Sequence, residues 1–531
     1  MTVLDWLILG GYLGGMIGLS IYLGKNQQNQ EDYFVGGRRL PWWAIGISTM
    51  ATQTSAISFI SKPAFVALKP GGGLTWLQYE MAVPLAIIAV MIFLVPLFRK
   101  LELISVYEYL EHRFDASIRY LVSGVFLLSR AFAAGIVVYA TAIVLSVCLG
   151  ISLWLTILII GAVTVIYDVI GGMPAVVYSD VIQMVILLSG IVICIVYAAE
   201  HVGGFGVILN SLPPERLNVL DMAHGLGDGS ETPFCGFLFG GFFLFVSYYG
   251  TDQSQVQREL SAESIDGTKR SLFINGISRF PLGVLYILLG MAVGAAYQLS
   301  PELQAAVPEA HPDYLVPQYI MLFLPSGLRA ILFAALLAAT MSSLDSVLNS
   351  LSAATMRDFV GRLSVLPAHD LRAGKIVTLL WGIFITIFAF YADQVSDTVV
   401  EAVNKIGSAF YGPILAAFLM GILSRSATTR AVFTGIVSGV LFNLLLWAFF
   451  PDVYWMWWNA IGCAVTMLLT GLHSYLWPKA LRKEILPYTL TRGEILREEH
   501  SWRWGYLTLL LYFVLIVVVL FWVQAVIGGG N

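Results

Sequence analysis

Polar side chains are concentrated in one short stretch of an otherwise apolar run, AATMSSLDSVLNS at 338–350. Four of them follow the helical spacing i, i+3, i+4, i+7 and therefore share one face of a helix: Ser342, Asp345, Ser346 and Asn349. Hydroxyl and carboxylate oxygens suit alkali cations, and the stretch has no His or Cys to favour a transition metal. The pattern predicts a cation site and no transition-metal site.

The carboxylates in this region are more informative than the hydroxyl groups. Ser and Thr also pack membrane helices and bond to backbone carbonyls, so packing is the simpler explanation for any single serine. A carboxylate inside a bilayer is costly and marks a functional site by default. Asp345 meets this condition, and so does Asp180, about five residues inside another apolar run. We expect both to serve the function.

The composition is that of a membrane protein. Of 531 residues, 58% are hydrophobic and 12% are charged, whereas soluble domains carry about 25% charged residues. Apolar runs of about 20 residues, each long enough to cross a bilayer, recur along the whole chain. The net charge of −4 is uninformative, and the sequence has no basic patch to suggest a nucleic-acid partner.

The apolar runs predict fourteen spanning segments in one transmembrane domain, 1–531: 4–24, 42–65, 73–98, 117–148, 151–170, 175–199, 235–261, 269–297, 327–357, 374–393, 397–424, 428–450, 453–477 and 503–526. Lys and Arg accumulate on the cytoplasmic side of membrane proteins. With the N-terminus outside, 22 of the 29 Lys and Arg residues fall on the inner side, Arg258 among them, and three fall outside. This asymmetry supports the count and an orientation with both termini outside, because one missing span would invert every later loop.

Two spans are expected to be broken. Residues 51–58, ATQTSAIS, are mostly small or polar in the first span after the leading one, and residues 250–253 interrupt the sixth. Polar backbone at this depth is tolerated only where it is buried in protein or lines a cavity. The breaks have the spacing of two inverted five-helix repeats, 42–199 and 235–424, with a leading helix at 4–24 and trailing helices at 428–526.

Depth in the membrane brings the first break and the polar stretch to one level. At about 1.5 Å per residue, Ser342 lies about 20 Å below the outer end of its span. By the same measure, residues 51–54 lie about 14–18 Å above the inner end of theirs. The backbone carbonyls of the break and the hydroxyl groups of 338–350 can therefore meet.

Several motifs resemble those of the sodium/solute symporter family, in order and along nearly the whole chain: EDYFVGGRRLPWW at 31–43 with the STMATQTSAISFI that follows, GGMPAVVYSDVIQ at 171–183, GTDQSQVQREL at 250–260, AATMSSLDSVLNS at 338–350 and GPILAAFLMGIL at 412–423. The family includes sodium/glucose, proline, sialic acid, iodide and multivitamin cotransporters. The resemblance implies an all-α polytopic membrane protein with the LeuT-like inverted five-helix repeat. It also implies a symporter rather than an enzyme, so no catalytic residues are expected.

The resemblance also implies sodium ligands. In the family, one sodium is held by carbonyls at the first break and by a carbonyl and two hydroxyls of the polar span, at positions that match Ala51, Thr54, Ala339, Ser342 and Ser343. Some members bind a second sodium, which here implies Asp180, Ser342 and Ser346, with Asp345 at a position that is often Ser or Thr. One or two sodium ions are therefore the expected coupling ions.

Two residues depart from the family pattern. Asp168 stands in a YDVIGG stretch where Ser or Thr is more usual, and its role is left open. Ser254 stands roughly where the sugar transporters of the family place a gating tyrosine. This second departure argues against an inner gate of the sugar type.

The substrate cavity is expected between the two broken spans and the spans 73–98, 117–148 and 397–424. Its candidate polar contacts are Gln53, Ser55, Ser58, Gln78, Glu80, Arg130, Asp252 and Gln253. Arg130 lies about 13 residues from the inner end of its span, too deep for its guanidinium to reach water. It needs either a permanent acidic partner, such as Glu80 or Asp252, or the carboxylate of a substrate. The sialic acid members of the family resemble the second arrangement, with an arginine on the same helix.

We expect sodium-coupled symport of a small organic solute by alternating access, with an organic acid or acidic sugar preferred. The alternatives are a neutral sugar or polyol, then an amino acid or vitamin, and a proton-coupled symporter in which Asp180 and Asp345 carry protons. The sequence lacks the GxxxxGK[ST] motif of a nucleotide-driven pump. The expected setting is the plasma (inner) membrane. The expected partners are the lipid bilayer, sodium and the solute; a single chain suffices, and the oligomeric state is left open.

Overall fold

The chain is helical throughout the part that the computed structural model describes, residues 1–227, 232–362, 370–392, 399–478, 483–490 and 500–528. Extended residues pair there only in isolated bridges. The helices used below are numbered in chain order: α1 (Val3–Gly24), α2 (Trp42–Gln53), α3 (Ala56–Ala67), α4 (Val83–Phe93), α5 (Ala116–Leu149), α6 (Leu153–Val202), α7 (Gly241–Thr251), α8 (Gln253–Leu260), α9 (Ile265–Leu299), α10 (Leu328–Ala354), α11 (Leu371–Ala389), α12 (Val399–Leu423), α13 (Thr429–Phe449), α14 (Trp457–Leu476) and α15 (Arg503–Val523). Short helices lie between them at Gln30–Val35, Val95–Lys100, Glu108–Arg113, Phe205–Ser211, Pro301–Ala306 and Leu315–Phe323.

The predicted spans coincide with helices, although the number of fourteen crossings stays a prediction. Ten helical segments in the described ranges are long and apolar enough to cross a bilayer. The span predicted at 73–98 is divided into a 3-10 helix at Leu74–Glu80, α4, and the short helix Val95–Lys100, and a proline is the second residue of each of the last two. The start of the span predicted at 397–424 lies outside the described residues.

One glycine joins the two spans predicted at 151–170 and 175–199. They form the two arms of α6, whose 50 residues would measure about 75 Å if straight, more than twice the thickness of a bilayer core. Gly172 separates the arms with φ 54° and ψ −157°, a conformation that glycine adopts without steric cost. Asp168 lies on the first arm and Asp180 on the second.

Both predicted helix breaks are confirmed. Thr54 leaves the helical conformation, with φ −100° and ψ 66°, and together with Ser55 it separates α2 from α3. Asp252 is extended, with φ −84° and ψ 120°, and it separates α7 from α8. The Asp252 carboxylate accepts a hydrogen bond from the N–H of Ser254 and so caps α8.

The helix with the polar stretch, α10, lies at the centre of the bundle. It packs against α6, α5, α2, α3 and α8. In its most apolar stretch of membrane-spanning length, 83% of the residues are buried. The equivalent share is 17% for α1 and 11% for α15, so these two helices lie at the periphery. The hydroxyl and carboxyl groups of α10 therefore face other helices and not lipid.

Candidate functional site

A cavity of about 910 Å³ lies between the two helix breaks. Its walls come from α3, α5, α7, α10 and α12, and it extends to Lys69 and to the loop at 309–314. The charge asymmetry of the sequence assigns that loop to the outer side. Five of the predicted substrate contacts line this cavity: Gln53, Ser55, Ser58, Arg130 and Asp252.

The first break and α10 are in direct contact beside the cavity. The Ser343 hydroxyl donates hydrogen bonds to the carbonyl of Thr52 at 3.4 Å and to the carbonyl of Ala339 at 3.1 Å. At the break itself, the N–H of Thr54 donates to the carbonyl of Ala51 at 2.9 Å. Four predicted ligands of the first sodium, Ala51, Thr54, Ala339 and Ser343, lie along this contact, whereas Ser342 is turned toward Asp180. The binding of sodium by these residues stays a prediction.

Ser342, the neighbour of Ser343, faces a second polar cluster. Its hydroxyl donates to the Asp180 carboxylate, which also accepts a hydrogen bond from Ser48 at 2.5 Å. The Ser346 hydroxyl lies 3.2 Å from the Asp345 carboxylate, and the charges of Asp345 and Asp180 interact. The structure therefore brings together the four residues predicted for the second site. Both carboxylates are fully buried.

The structure adds Arg258 to this cluster; the sequence had counted it among the inner loops and helix ends, and that side stays a prediction. Arg258 is fully buried. Its guanidinium lies 3.4 Å from the Asp180 carboxylate and 2.8 Å from the Ser48 hydroxyl, and it also donates to Ser346. A signal was present in the sequence, because Arg258 follows the second break within a short, mostly polar helix. Every residue of that helix is buried.

Asp168 is buried near this cluster without joining its hydrogen bonds. Its carboxylate lies near the side chain of Asn349 on α10 and has no other hydrogen-bond partner within the described residues. Its backbone carbonyl accepts a hydrogen bond from the Tyr33 hydroxyl at 3.2 Å. Asp168 interacts electrostatically with Arg258 and Asp180. The structure thus places this departure from the family pattern beside the predicted ion sites.

Arg130 has an internal acidic partner. Its Nε lies 2.7 Å from the Asp252 carboxylate, and its Nη2 also donates to Asp252 and to the Tyr411 hydroxyl. The rings of Tyr248 and Tyr411 lie 5.1 and 5.4 Å from the guanidinium carbon. The sequence offered Glu80 and Asp252 as acidic partners of Arg130, and in the structure the partner is Asp252. Arg130 and Asp252 both line the cavity.

Three predicted substrate contacts have other partners. Glu80 binds Arg279 through both carboxylate oxygens, at 2.6 and 3.2 Å. Gln78 donates to the carbonyl of Thr75 at 3.1 Å, and Gln253 donates to the carbonyl of Ile104 at 2.7 Å. Because their amides satisfy backbone carbonyls, Gln78 and Gln253 do not line the cavity, and neither does Glu80.

Comparison with known proteins gives consistent matches. The model of the sodium:solute symporter family matches residues 33–439. The chain is 29% identical over 487 residues to the sodium/sialic acid symporter NanT of Aliivibrio fischeri, which covers 91% of this chain and 95% of that protein. It is 28% identical over 473 residues to the sodium/sialic acid symporter SiaT of Proteus mirabilis, covering 88% and 94% of the two chains.

A solved structure has the same architecture. It is a substrate-bound, outward-open state of a Na⁺-coupled sialic acid symporter, and it matches with a TM-score of 0.81 and 28% sequence identity. The match covers 90% of this chain and 100% of that chain. The predicted fold class, an all-α membrane protein with the inverted-repeat core, is confirmed.

Proposed function

Because this chain belongs to the sodium:solute symporter family, we propose that it carries a small organic acid, preferably an acidic sugar, across the membrane together with sodium. It is a multi-pass membrane transporter and not an enzyme. The contact between the first helix break and α10, beside the cavity, is the observation that carries the proposal. The two sialic acid symporters among its relatives support the choice of an acidic sugar.

Sodium acts in this proposal by fixing the first break against α10. One ion binds where the Ser343 hydroxyl meets the carbonyls of the break, with Ala51, Thr54, Ala339, Ser342 and Ser343 as ligands. A second ion is proposed at Asp180, Ser342, Asp345 and Ser346, where Arg258 neutralises part of the negative charge. The break is part of the cavity wall, so an ion that orders the break also orders the substrate contacts.

The substrate is proposed to contact Gln53, Ser55, Ser58 and the Arg130–Asp252 pair. Small-molecule cavities commonly measure about 300–1,000 Å³, and this cavity, at about 910 Å³, has room for a sugar with ordered water. Hydroxyl, amide and charged groups together provide donors and acceptors for a polyhydroxylated substrate. A neutral sugar or polyol fits the same groups and is the alternative that the test below separates.

The available driving force is sufficient for uptake against a gradient. One elementary charge that moves through 100 mV supplies about 2.3 kcal/mol, and a tenfold sodium gradient supplies about 1.4 kcal/mol more. With one sodium ion, a monovalent acid anion enters without net charge, so the sodium gradient alone acts and supports about tenfold accumulation; with two sodium ions one net positive charge enters, and the limit rises to roughly several thousandfold. The proposed setting is the plasma (inner) membrane with both termini outside, which places the open end of the cavity on the side from which sodium enters.

Thermal unfolding of the purified protein tests the proposal, because a ligand of the native state raises the melting temperature. The panel contains sialic acid, sugar acids, monocarboxylates, neutral sugars and amino acids, each with sodium and with choline in its place. We expect an acid to stabilise the protein only with sodium. A neutral sugar that stabilises better than every acid would favour the sugar alternative, and stabilisation that is indifferent to sodium would favour proton coupling.

A further inference from the structure

A second cationic group faces the cavity apart from Arg130. Lys62, on α3, lines the cavity, and its side chain is 14% exposed. Its ammonium lies 3.4 Å from one oxygen of Glu80, and 5.5 and 5.2 Å from the ring centroids of Tyr79 and Tyr286. An ammonium has three donors, and the Glu80 oxygen is its one hydrogen-bond acceptor in the described part of the chain.

Lys62 shares this carboxylate with a stronger partner. Arg279 donates to both oxygens of Glu80, at 2.6 and 3.2 Å, so it takes the bidentate position that a guanidinium prefers. The Lys62 ammonium and the Arg279 guanidinium thus both lie against Glu80. Two basic side chains therefore share one carboxylate beside the cavity.

The other cations that line the cavity are balanced one to one. Arg130 pairs with Asp252, whose second oxygen is held by the N–H and the hydroxyl of Ser254 at 2.9 and 2.6 Å. Nearer the outer end, Lys69 pairs with Asp313 at 3.0 Å. Glu309 also lines the outer end of the cavity, away from Lys62 on α3, so the positive charge that lacks a carboxylate of its own is the one at Lys62.

An anion would offset this charge, because an uncompensated charge away from bulk water is costly. Ser58 precedes Lys62 by four residues on α3, so both side chains lie on one face of the helix. Both line the cavity, where a hydroxyl donor and an ammonium can receive the two oxygens of one carboxylate. Arg279 keeps Glu80 occupied, so the incoming anion would not have to displace a stronger bond.

We propose that Lys62, with Ser58 beside it, binds the carboxylate of the transported acid, whereas the Arg130–Asp252 pair contacts neutral polar groups of the same molecule. The proposal rests on the proposed function, since it requires an acidic substrate. It assigns the preference for an acid to the local charge at Lys62 and not to an arginine that already has a partner.

The test compares each acid with its primary amide, which has the same shape without the charge. The pairs are N-acetylneuraminic acid, gluconic acid and lactic acid with their amides, measured with sodium by the rise in melting temperature over a concentration series. For the wild type we expect the acid of at least one pair to bind more tightly than its amide. In Lys62→Gln we expect affinity for that acid to fall about tenfold to a hundredfold, as for loss of a charged hydrogen bond, with affinity for the amide unchanged.

Three control variants sharpen the result. Lys62→Arg keeps the charge and is expected to keep the preference for the acid. Lys69→Gln removes a paired lysine of the same cavity and is expected to leave the preference intact. Arg130→Gln is expected to weaken the binding of the acid and of its amide to the same extent. Stabilisation by sodium alone, measured in every variant, shows that the protein is folded.

The possible outcomes distinguish a wrong assignment of Lys62 from a wrong proposal of an acidic substrate. If the preference for the acid survives Lys62→Gln, the assignment to Lys62 is wrong, but the acid is still the transported substrate. The same conclusion follows if Lys69→Gln removes the preference to the same extent. If Arg130→Gln alone removes the preference, the carboxylate belongs to Arg130. Iodide that stabilises the wild type more than any acid would make the occupant an inorganic anion. If the wild type prefers no acid to its amide, the acidic-substrate function fails, and the subsite with it.

Discussion

Adjacent serines on α10 face different polar clusters. Ser343 reaches the carbonyl of Thr52 at the first break, whereas Ser342 donates to the Asp180 carboxylate on α6. One residue along a helix rotates the side chain by about 100°. A single helix can therefore contribute to two ion sites and couple their occupancy.

Replacing Ser343 with alanine should weaken the binding of the first sodium. The substitution removes one hydroxyl ligand, which is worth about 1 kcal/mol, or about a fivefold to tenfold higher sodium concentration for half-maximal stabilisation. The measurement is a sodium titration of the melting temperature in the purified variant. An unchanged sodium requirement would contradict the assignment of Ser343 as a ligand.

Ser350→Ala is the matched control for this titration. Ser350 lies on the same helix and is buried, and its hydroxyl donates to the carbonyls of Ser346 and Val347 in its own helix. Such a bond within the helix has no role in holding an ion. We expect the sodium titration of Ser350→Ala to match that of the wild type.

Arg258 and Asp180 form a buried ion pair that joins α8 to α6. Breaking such a pair by removing one partner costs about 3–5 kcal/mol, because the remaining charge is left buried. Arg258→Gln should therefore lower the melting temperature strongly. The double variant Arg258→Gln with Asp180→Asn should lose less than the sum of the two single changes, since it leaves no unpaired charge.

An exposed ion pair provides the comparison for this double-mutant cycle. Arg270 lies 2.8 Å from Asp266 four residues earlier, and both side chains are about half exposed. Exposed pairs contribute about 0–1 kcal/mol, so Arg270→Gln should leave the melting temperature nearly unchanged. Additive effects of the Arg258 and Asp180 substitutions would contradict the coupling inferred from their contact.

At the scale of helices, Gly172 determines how the two arms of α6 are joined. A Cβ atom at this position would lie 2.5 Å from the Tyr33 ring and 2.6 Å from the Tyr33 carbonyl oxygen. Its φ of 54° with ψ near −157° is also a conformation that other residues rarely adopt. The position therefore combines a backbone restriction with a close contact.

Gly172→Ala should destabilise the protein by about 2 kcal/mol or more, from strain in the backbone together with the contact with Tyr33. The measurement is the melting temperature in detergent. Gly15→Ala in α1 is the control, because nothing lies within 4 Å of a Cβ there, and alanine favours a helix over glycine by about 1 kcal/mol. Equal melting temperatures for the two variants would contradict the role given to Gly172.

Features that depend on local chemistry could be predicted from the sequence. The breaks at Thr54 and Asp252 follow from small and polar residues at membrane depth, and the shared face of Ser342, Asp345 and Ser346 follows from helical spacing. The helices at these places have nearly the predicted bounds. The sequence analysis did not predict that the span at 73–98 is divided into shorter helices. Pro84 and Pro96 are local signals for the starts of two of these helices.

Partnerships between distant helices could not be predicted in the same way. The sequence predicted Gln78 and Gln253 as cavity residues because they are polar and lie at the right depth. Their amides satisfy the backbone carbonyls of Thr75 and Ile104, which depends on how the chain packs. For the same reason the sequence did not pair Arg258 with Asp180, 78 residues earlier in the chain.

For the whole molecule, the cavity reaches Lys69 and the loop at 309–314 at one end. Away from the cavity, Arg38 and Arg99 both donate to the carbonyl of Leu260 at the end of α8, at 3.1 and 2.7 Å. Arg119 binds Asp358 at 2.7 Å nearby. Access from one side at a time is what a symporter requires, because a path open at both ends would dissipate the sodium gradient.

The most direct test of the account is uptake into proteoliposomes of the acid that best stabilises the purified protein. Three conditions are compared at equal substrate: an inward sodium gradient, equal sodium on both sides, and an inward proton gradient without sodium. We predict accumulation above equilibrium only with the sodium gradient, and more of it when the interior is made negative, because two sodium ions with one monovalent acid anion carry one net positive charge inward. Accumulation driven by the proton gradient without sodium, or uptake that only equilibrates in all three conditions, would contradict sodium-coupled symport.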